Sequence, residues 1–477
     1  MRVVSYFWIF LALYLGLGIL NLETLPVVWN DEIQNLDPAV RHWRTGQWTS
    51  WLWPNPGATE LFASYPPFLH HWHRLWLSIF PLHPFWMRLP FWLFHGLSLV
   101  LLFRLLQKHM KPEWALGLVL LFAWDRSVFE IARSVRVEPI AMALLLLYNL
   151  PLRWGRAWCL TLLASCHLLY LPFVWVLAFW EWRKTDSIVQ KIALLTPSLL
   201  LLTYLNYHYH SNWVTAFQQI SYQIEKHSQN GFISWFQELQ YTYKQAPLQA
   251  LVWALGIGLL ARFAVNRSFQ KGPWFWAFVA YATTLLFAQP LHRYWPMACL
   301  LLILAIGEFS GQDTQELGSP KYTRLKLQWL LGLAILNGFA LFAARHVAAL
   351  ADRPARLADP ALEWLDSCLI DAPAGSLITG SALGAYAAYR HPQMEYGMPD
   401  YLQTFEHWPD SISCVYVLDF GARHRGPDTL HLPNAELLGT YQPPRLNAWQ
   451  WPGESYEGMK LYRLKQANDW HLLIPKP

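Results

Sequence analysis

The feature that most limits how this chain can fold is a series of long apolar runs separated by short basic segments. A helix rises 1.5 Å per residue, so about 20 apolar residues cross the roughly 30 Å hydrocarbon core of a bilayer. Runs of that kind lie near residues 3–22, 88–107, 113–131, 138–153, 188–206, 247–264, 273–289, 294–309 and 325–343. The stretch 157–180 has Arg156 at one end and Arg183-Lys184 at the other. A bent helical hairpin near Leu171-Pro172 returns the chain to the side it came from and satisfies the rule that basic loops stay in the cytoplasm. Counting the hairpin as two helices predicts a polytopic α-helical membrane protein with about 11 transmembrane helices.

Composition agrees. Hydrophobic residues make up 54% of the 477 and charged residues only 14%, against about 25% charged in an ordinary soluble domain. The 29 Trp cluster near the ends of the runs, as aromatic belts do. Basic groups at Arg104, Lys108 and Lys111, at Arg153 and Arg156, at Arg262, Arg267 and Lys271, and at Lys321, Arg324 and Lys326 all fall on one side if the N-terminus is cytoplasmic. An odd helix count then places the C-terminal part outside. The formal charge of +5 belongs to these loops. No basic module with interleaved aromatics exists, so nucleic acid is not an expected partner. The apolar run to Leu22 outlasts a signal peptide's core and no small-x-small cleavage site follows, so it reads as a retained first span. Of the cysteines, Cys159, Cys166 and Cys299 read as small apolar residues in spans. Cys368 and Cys414 have a disulfide open to them if their part of the chain is extracytoplasmic.

The expected domains are a transmembrane domain over 1–343, with extracytoplasmic loops at 24–87 and 207–246, and a soluble α/β extracytoplasmic domain over 344–477. In the first loop one helix is expected to start with Asp37 as N-cap and Pro38 at its first position, and to stop near Gly46. A second, over 67–80, carries Phe68, Trp72, Leu75, Trp76 and Ile79 on one face and His70, His71, His73, Arg74 and Ser78 largely on the rest, the pattern of a helix lying in the interface. In the C-terminal part, 376–380 and 415–419 read as buried strands and 361–370 as a helix.

Chemistry is expected where ionisable residues meet the ends of spans. Asp31 and Glu32 stand where the chain leaves the bilayer after Trp29 and Asn30. A carboxylate there suits a general base acting on a lipid-borne substrate, although wet exit loops also carry acids. The third span is apolar only from Trp114 to Trp124 and continues through Asp125, Arg126, Glu130, Arg133, Arg136 and Glu138. Arg133 and Arg136, three residues apart, share a face if the helix continues, and could clamp an anionic group. Glu138 before Pro139 reads either as a site acid or as a charge capping or ion-pairing at the next helix start. His292-Arg293-Tyr294 offers a cation between two spans, or an interfacial anchor. The histidines of 70–73 with Glu60 lack a second ligand pair, so a polar interface face is the favoured reading over a metal site. No cofactor motif occurs: there is no Walker loop, dinucleotide fingerprint, nucleophile elbow or cysteine zinc motif, and no motif demands a divalent metal.

Taken in order, these features resemble a known family. An acid pair after the first span, a loop helix beginning Tyr65-Pro66-Pro67, and Arg88-Leu89-Pro90 at the second span resemble GT-C fold membrane glycosyltransferases. The branch they resemble contains protein O-mannosyltransferases and lipid A aminoarabinose transferases. Ala132 to Glu138 is similar to that family's second acidic loop motif, and His292-Arg293-Tyr294-Trp295-Pro296 to its Arg-Tyr span opening. The resemblance covers roughly residues 1–310. It implies a sugar carried on polyprenyl phosphate and transferred with inversion to a lipid, glycan or protein acceptor at the extracytoplasmic face of the plasma (inner) membrane. It implies that Asp31 is the base, Glu32 its support and Glu138 the second acid. It makes Arg133, Arg136 and Arg293 candidates for holding the phosphate, with Tyr65, His292 and Tyr294 as further substrate contacts. The sequence departs from the pattern at Tyr65, where Lys or His is usual, at Glu138, where Asp is common, and at Pro38, which stands in the helix after the acid pair. The rival classes are a transporter or flippase for a lipid-linked or small polar solute, and an inactive scaffold of the same fold. Against the transporter, the candidate residues gather at span ends and not at the midplane.

Overall fold

The computed structural model describes residues 2–25, 30–50, 52, 61–151, 153–209, 212–228, 240, 242–244, 246–265, 272–287, 292–310, 321–380, 382–391, 393–397, 412–419, 435–442 and 459–464. Trp29, Glu60, Arg267 and Lys271 lie outside them, as do the side chains of Arg153, His292, Lys321, Arg324 and Lys326. The chain divides into two compact units. One comprises 1–19, 65–68 and 90–344, and the other 20–64, 69–89 and 345–477.

Among the described residues, four helices are long and apolar enough to span a bilayer: Arg2–Leu20, Pro84–Leu106, Ile188–Tyr209 and Gln328–Ala351 within Lys321–Ala351. Shorter apolar helices are Pro112–Ala123, Glu138–Leu147, Pro247–Arg262 and Trp295–Glu308. On Ile188–Tyr209, Ile188, Val189, Ile192, Leu195 and Leu199 are all exposed, as expected of a helix whose surroundings are lipid. Within the first unit Pro273–Phe287 packs on both Leu171–Lys184 and Trp295–Ser310. Gly18 decides one close approach: a Cβ there would overlap the Trp92 indole. The bare backbone instead lets Trp92 in, and the indole N–H donates to the Leu15 carbonyl at 3.2 Å.

The expected span at 113–131 is interrupted. Pro112–Ala123 ends, the chain turns at Trp124-Asp125, and Arg126–Ala132 begins. Asp125 causes the restart. Its carboxylate accepts the backbone N–H groups of Ser127 and Val128 and the Ser127 hydroxyl, as an N-cap does, and takes Tyr243 Oη at 2.9 Å and Trp253 Nε1 at 2.8 Å. That many donors offset part of the cost of burying the acid fully. The expected bend at Leu171-Pro172 falls slightly earlier. Arg153–Cys166 stops, His167 caps the short 3₁₀ turn Leu168–Tyr170, and Pro172 lies in the first turn of Leu171–Lys184, where its missing N–H costs nothing.

In the second unit the helix after the first span runs Asn30–Thr45. It starts earlier than predicted and continues through Pro38, ending at Gly46, whose φ of 77° only glycine adopts easily. Asp37 is therefore mid-helix and not an N-cap. It accepts Ser50 Oγ at 2.5 Å and Tyr389 Oη at 2.6 Å. Burial, reinforced by the Asp37 charge, pushes the Tyr389 phenol well above its ordinary pKa. Arg41 donates to Glu395 at 2.8 Å and Arg44 to the Met394 carbonyl at 3.3 Å.

Those partners belong to a mixed sheet of five strands among the described residues: β1 (Ser376–Gly380), β2 (Met394–Gly397), β3 (Cys414–Asp419), β4 (Ala435–Thr440) and β5 (Lys460–Leu464). Their order is β2-β1-β3-β5-β4, with β1 parallel to β2 and β3, and β5 antiparallel to β3 and β4. Helices Ala358–Leu369 and Leu383–Arg390 accompany it. Gly380, at φ 107°, permits the approach of β1 to Leu418, because a Cβ would meet the Leu418 carbonyl. Cys368 and Cys414 are free thiols.

The loop helix Phe68–Leu77 buries Leu69, His70, His73 and Leu77 and leaves Leu75 and Ile79 outward, so its histidine face is turned to protein. His70 and His73 both place Nδ1 on the Asn35 carbonyl, at 3.3 and 3.1 Å, so each donates there. Burial holds the His73 pKa down at about 3. Its folded pKa lies below the unfolded value near 6.5, so the unfolded chain binds the extra proton and stability falls as pH drops below about 6.5 towards 3. The slope from this residue approaches about 1.4 kcal/mol per pH unit. His73→Asn keeps a donor to Asn35 but has no proton to gain. Thermal unfolding in detergent should show the variant losing less stability than wild type between pH 6.5 and 4.5; parallel curves would refute the neutral, buried His73.

Candidate functional site

Asp31 and Glu32 occupy the first turn of Asn30–Thr45, where the helix dipole favours negative charge. They are not equivalent. Glu32 is fully buried and gripped by Arg88: Nε donates to both carboxylate oxygens at 3.1 and 3.2 Å, and Nη2 donates at 3.0 Å. Arg88 Nη1 also donates to the carbonyls of Leu22 at 2.9 Å and Glu23 at 3.2 Å. One guanidinium thus fastens the chain leaving the first helix, the first turn of the next and its own helix Pro84–Leu106. Glu32 works through position, holding the turn that carries its neighbour. Asp31 is half-buried.

In the first unit Arg136 and Glu138 form the matching pair, with Nε to Oε2 at 3.0 Å and Nη2 to Oε1 at 2.6 Å, the carboxylate fully buried. Glu138 begins Glu138–Leu147 with Pro139 behind it, so it ion-pairs and sits at a helix start at once. Arg133 and Arg136 do not share a helix face. Arg126–Ala132 ends with Arg133 as its C-cap, and the chain turns before Glu138. Arg133 is fully buried, donates to the Gly18 carbonyl at 3.0 Å, and lies 5.3 Å from the Trp92 ring centre and 5.2 Å from that of Phe129.

The same unit brings Tyr65 and Tyr294 to one residue the motifs do not include. His167 lies 5.3 Å from Tyr65 and 5.1 Å from Tyr294, centre to centre, with its Nε2 3.3 Å from Tyr294 Oη. Tyr294 follows Arg293 in the 3₁₀ turn His292–Tyr294, and its carbonyl accepts Tyr281 Oη at 3.1 Å. Tyr170, fully buried, stands 5.7 Å from His167 and 6.0 Å from Tyr281. Arg293 is half-buried, and the His292 side chain is outside the described residues. The only signal for His167 in the sequence is a lone histidine at the break of an apolar stretch, with Pro172 close behind.

Among the described residues, one cluster has metal-ligand chemistry: Glu23, His83 and Asp359, with ligand atoms mutually within 4.8 Å. It does not suit an ion. His83 Nδ1 accepts the Phe85 N–H at 3.2 Å, so the neutral ring carries its proton on Nε2. That nitrogen lies 3.1 Å from Asp359 and 3.9 Å from Glu23 and turns a proton to them, not the lone pair a metal needs. Glu23 also accepts the Ala358 N–H at 2.7 Å.

The Glu32–Arg88 pair makes a direct prediction. Arg88→Met leaves a buried carboxylate without its cation, which costs about 3–5 kcal/mol. Its melting temperature in detergent should fall clearly below wild type, and adding Glu32→Leu should recover most of the loss. A single variant that melts like wild type would show that the pair does not anchor the turn.

No protein-family description and no curated sequence matches the chain. Solved structures do. ArnT from Cupriavidus metallidurans bound to undecaprenyl phosphate superposes with a TM-score of 0.53 at 12% identity, covering 99% of each chain. ArnT from the same organism in the apo state gives 0.55 at 13% identity over 100% of both. The acid pair, the second acidic motif and the Arg-Tyr opening thus lie on a chain that is similar to ArnT from end to end: a multi-pass membrane protein with the GT-C fold.

Proposed function

We propose that this protein is an inverting glycosyltransferase that moves a monosaccharide from a polyprenyl-phosphate donor to an acceptor at the extracytoplasmic face of the plasma (inner) membrane. The N-terminus is then cytoplasmic and the C-terminal part extracytoplasmic, on a span count of about 11. What carries the reading is the whole-chain likeness to an ArnT structure that holds undecaprenyl phosphate, together with an acid pair of which one member is pinned and the other is left half-buried.

In this reading Asp31 takes the proton of the acceptor hydroxyl. The freed oxygen forms a bond to the anomeric carbon from the face opposite the phosphate, and the sugar–phosphate C–O bond breaks with its electron pair going to the polyprenyl phosphate. Glu32 and Arg88 keep Asp31 in place. Charge grows on the departing phosphate, so fixed donors and cations there lower the barrier. Arg133, Arg136 and Arg293 are the candidates for that role, with Tyr65, His292 and Tyr294 as further contacts. Arg133 also donates to the Gly18 carbonyl and Arg136 also pairs with Glu138. Glu138, the second acid, keeps Arg136 fixed. The acceptor is a lipid, glycan or protein.

The test is turnover of a radiolabelled polyprenyl-phosphate sugar pool by purified protein in lipid. Asp31→Asn should lower transfer by about 10²–10⁴-fold while lipid binding persists. Undiminished transfer removes Asp31 from the role of base. Wild-type protein that binds the lipid but never turns it over points instead to a transporter or an inactive scaffold.

A further inference from the structure

His167 is fixed in one protonation form by its neighbours. It caps the 3₁₀ turn Leu168–Tyr170, and its Nδ1 accepts the Leu169 N–H at 3.2 Å. A nitrogen that accepts carries no proton, so the ring is neutral and its single N–H is on Nε2. That N–H faces Tyr294 Oη at 3.3 Å. The phenol oxygen accepts there, so towards any other partner the phenol O–H acts as the donor. An accepted hydrogen bond also polarises the O–H and strengthens it as a donor. The ring is nearly buried and wedged between Tyr65, Tyr170 and Tyr294, so it has little room to turn over. The Tyr294 main chain is held independently by Tyr281.

The unprotonated oxygens of a phosphate anion only accept hydrogen bonds, so they are recognised by groups committed to donating. We propose that His167 is a positioning residue that commits the Tyr294 phenol to donate towards an anionic phosphate oxygen. This rests on the reading above in which Tyr294 contacts the lipid phosphate. His167 acts through Tyr294 and does not touch the ligand. The backbone amide of Leu169 sets the tautomer, and the tautomer sets the direction of the phenol proton.

Two substitutions separate this from a role in packing. His167→Asn keeps an acceptor for Leu169 but has no donor at the Nε2 position. His167→Gln places an amide N–H there. Binding of undecaprenyl phosphate by purified protein in lipid nanodiscs is measured for wild type, both variants, Tyr294→Phe, and His167→Asn combined with Tyr294→Phe. The expected result is a loss of about tenfold in affinity for His167→Asn, near wild-type affinity for His167→Gln, and no further loss when His167→Asn is added to Tyr294→Phe. Wild-type affinity in His167→Asn, with Tyr294→Phe weakened, overturns the role of His167 and leaves the phosphate contact standing. Equal losses for Asn and Gln, or losses that add to that of Tyr294→Phe, reduce His167 to packing. Unchanged binding by Tyr294→Phe, or no binding by wild type, overturns the phosphate contact and this inference with it.

Discussion

A buried arginine cannot stay buried unless its donors are met, and Arg88 meets them with groups from separate stretches of chain. Two are carbonyls at the exit of the first helix, and the rest is the Glu32 carboxylate at the entry of the next. Removing two charges from water costs several kcal/mol each, so the pair is tolerable only in that closed geometry. The consequence is positional. Glu32 cannot leave Arg88, so the backbone of the turn it shares with Asp31 is fixed. In the proposed reading Asp31 takes a proton from the substrate, and a fixed backbone serves that role because small misplacements are expensive in rate.

The same helix is tied further along by residues far away in sequence. Asp37 takes Tyr389, Arg41 takes Glu395 and Arg44 takes the Met394 carbonyl. The mixed sheet near the C-terminus and the helix Leu383–Arg390 beside it therefore hold the helix that bears the acid pair. The Glu23–Ala358 bond and the His83–Asp359 contact extend the attachment. This accounts for the grouping of residues 20–64 with residues 345–477 in one compact unit.

Much of this was legible in the residues. Apolar runs announced the long helices because the bilayer's thickness sets their length, and β1 and β3 were visible as short β-branched and apolar runs closed by turn residues. The breaks were harder. Asp125 looked like a charge stranded in a span, and only its distant donors Tyr243 and Trp253, together with its own cap, turn it into a helix start. Pro38 has the look of a boundary, yet the helix passes through it, with Asp37 before it bonded to Tyr389 of the helix Leu383–Arg390 and Arg41 after it bonded to Glu395 of β2. The spacing of Arg133 and Arg136 puts them on one face only if the helix continues; a cap at Arg133 ends that helix, a matter of local backbone that side-chain spacing does not reveal. His167 carried almost no signal, because its importance comes from Tyr65 and Tyr294, about 100 residues before it and more than 120 after.

One rule underlies the candidate site. Each ionisable group taken out of water is committed to a partner that also fixes direction: Glu32 to Arg88, Glu138 to Arg136, Arg133 to Gly18, His167 to the Leu169 amide. Groups so committed are poor reagents but good scaffolding, because their charge is already neutralised and their rotamers are locked. In the proposed reading, chemistry falls to neighbours of such groups: Asp31 stands beside Glu32 in one unit, and Tyr294 beside His167 in the other. Anchors of this kind can be kept while the residues around them change. That is consistent with a fold shared across the whole chain at 12–13% identity while individual motif residues such as Tyr65 and Glu138 depart from the family pattern.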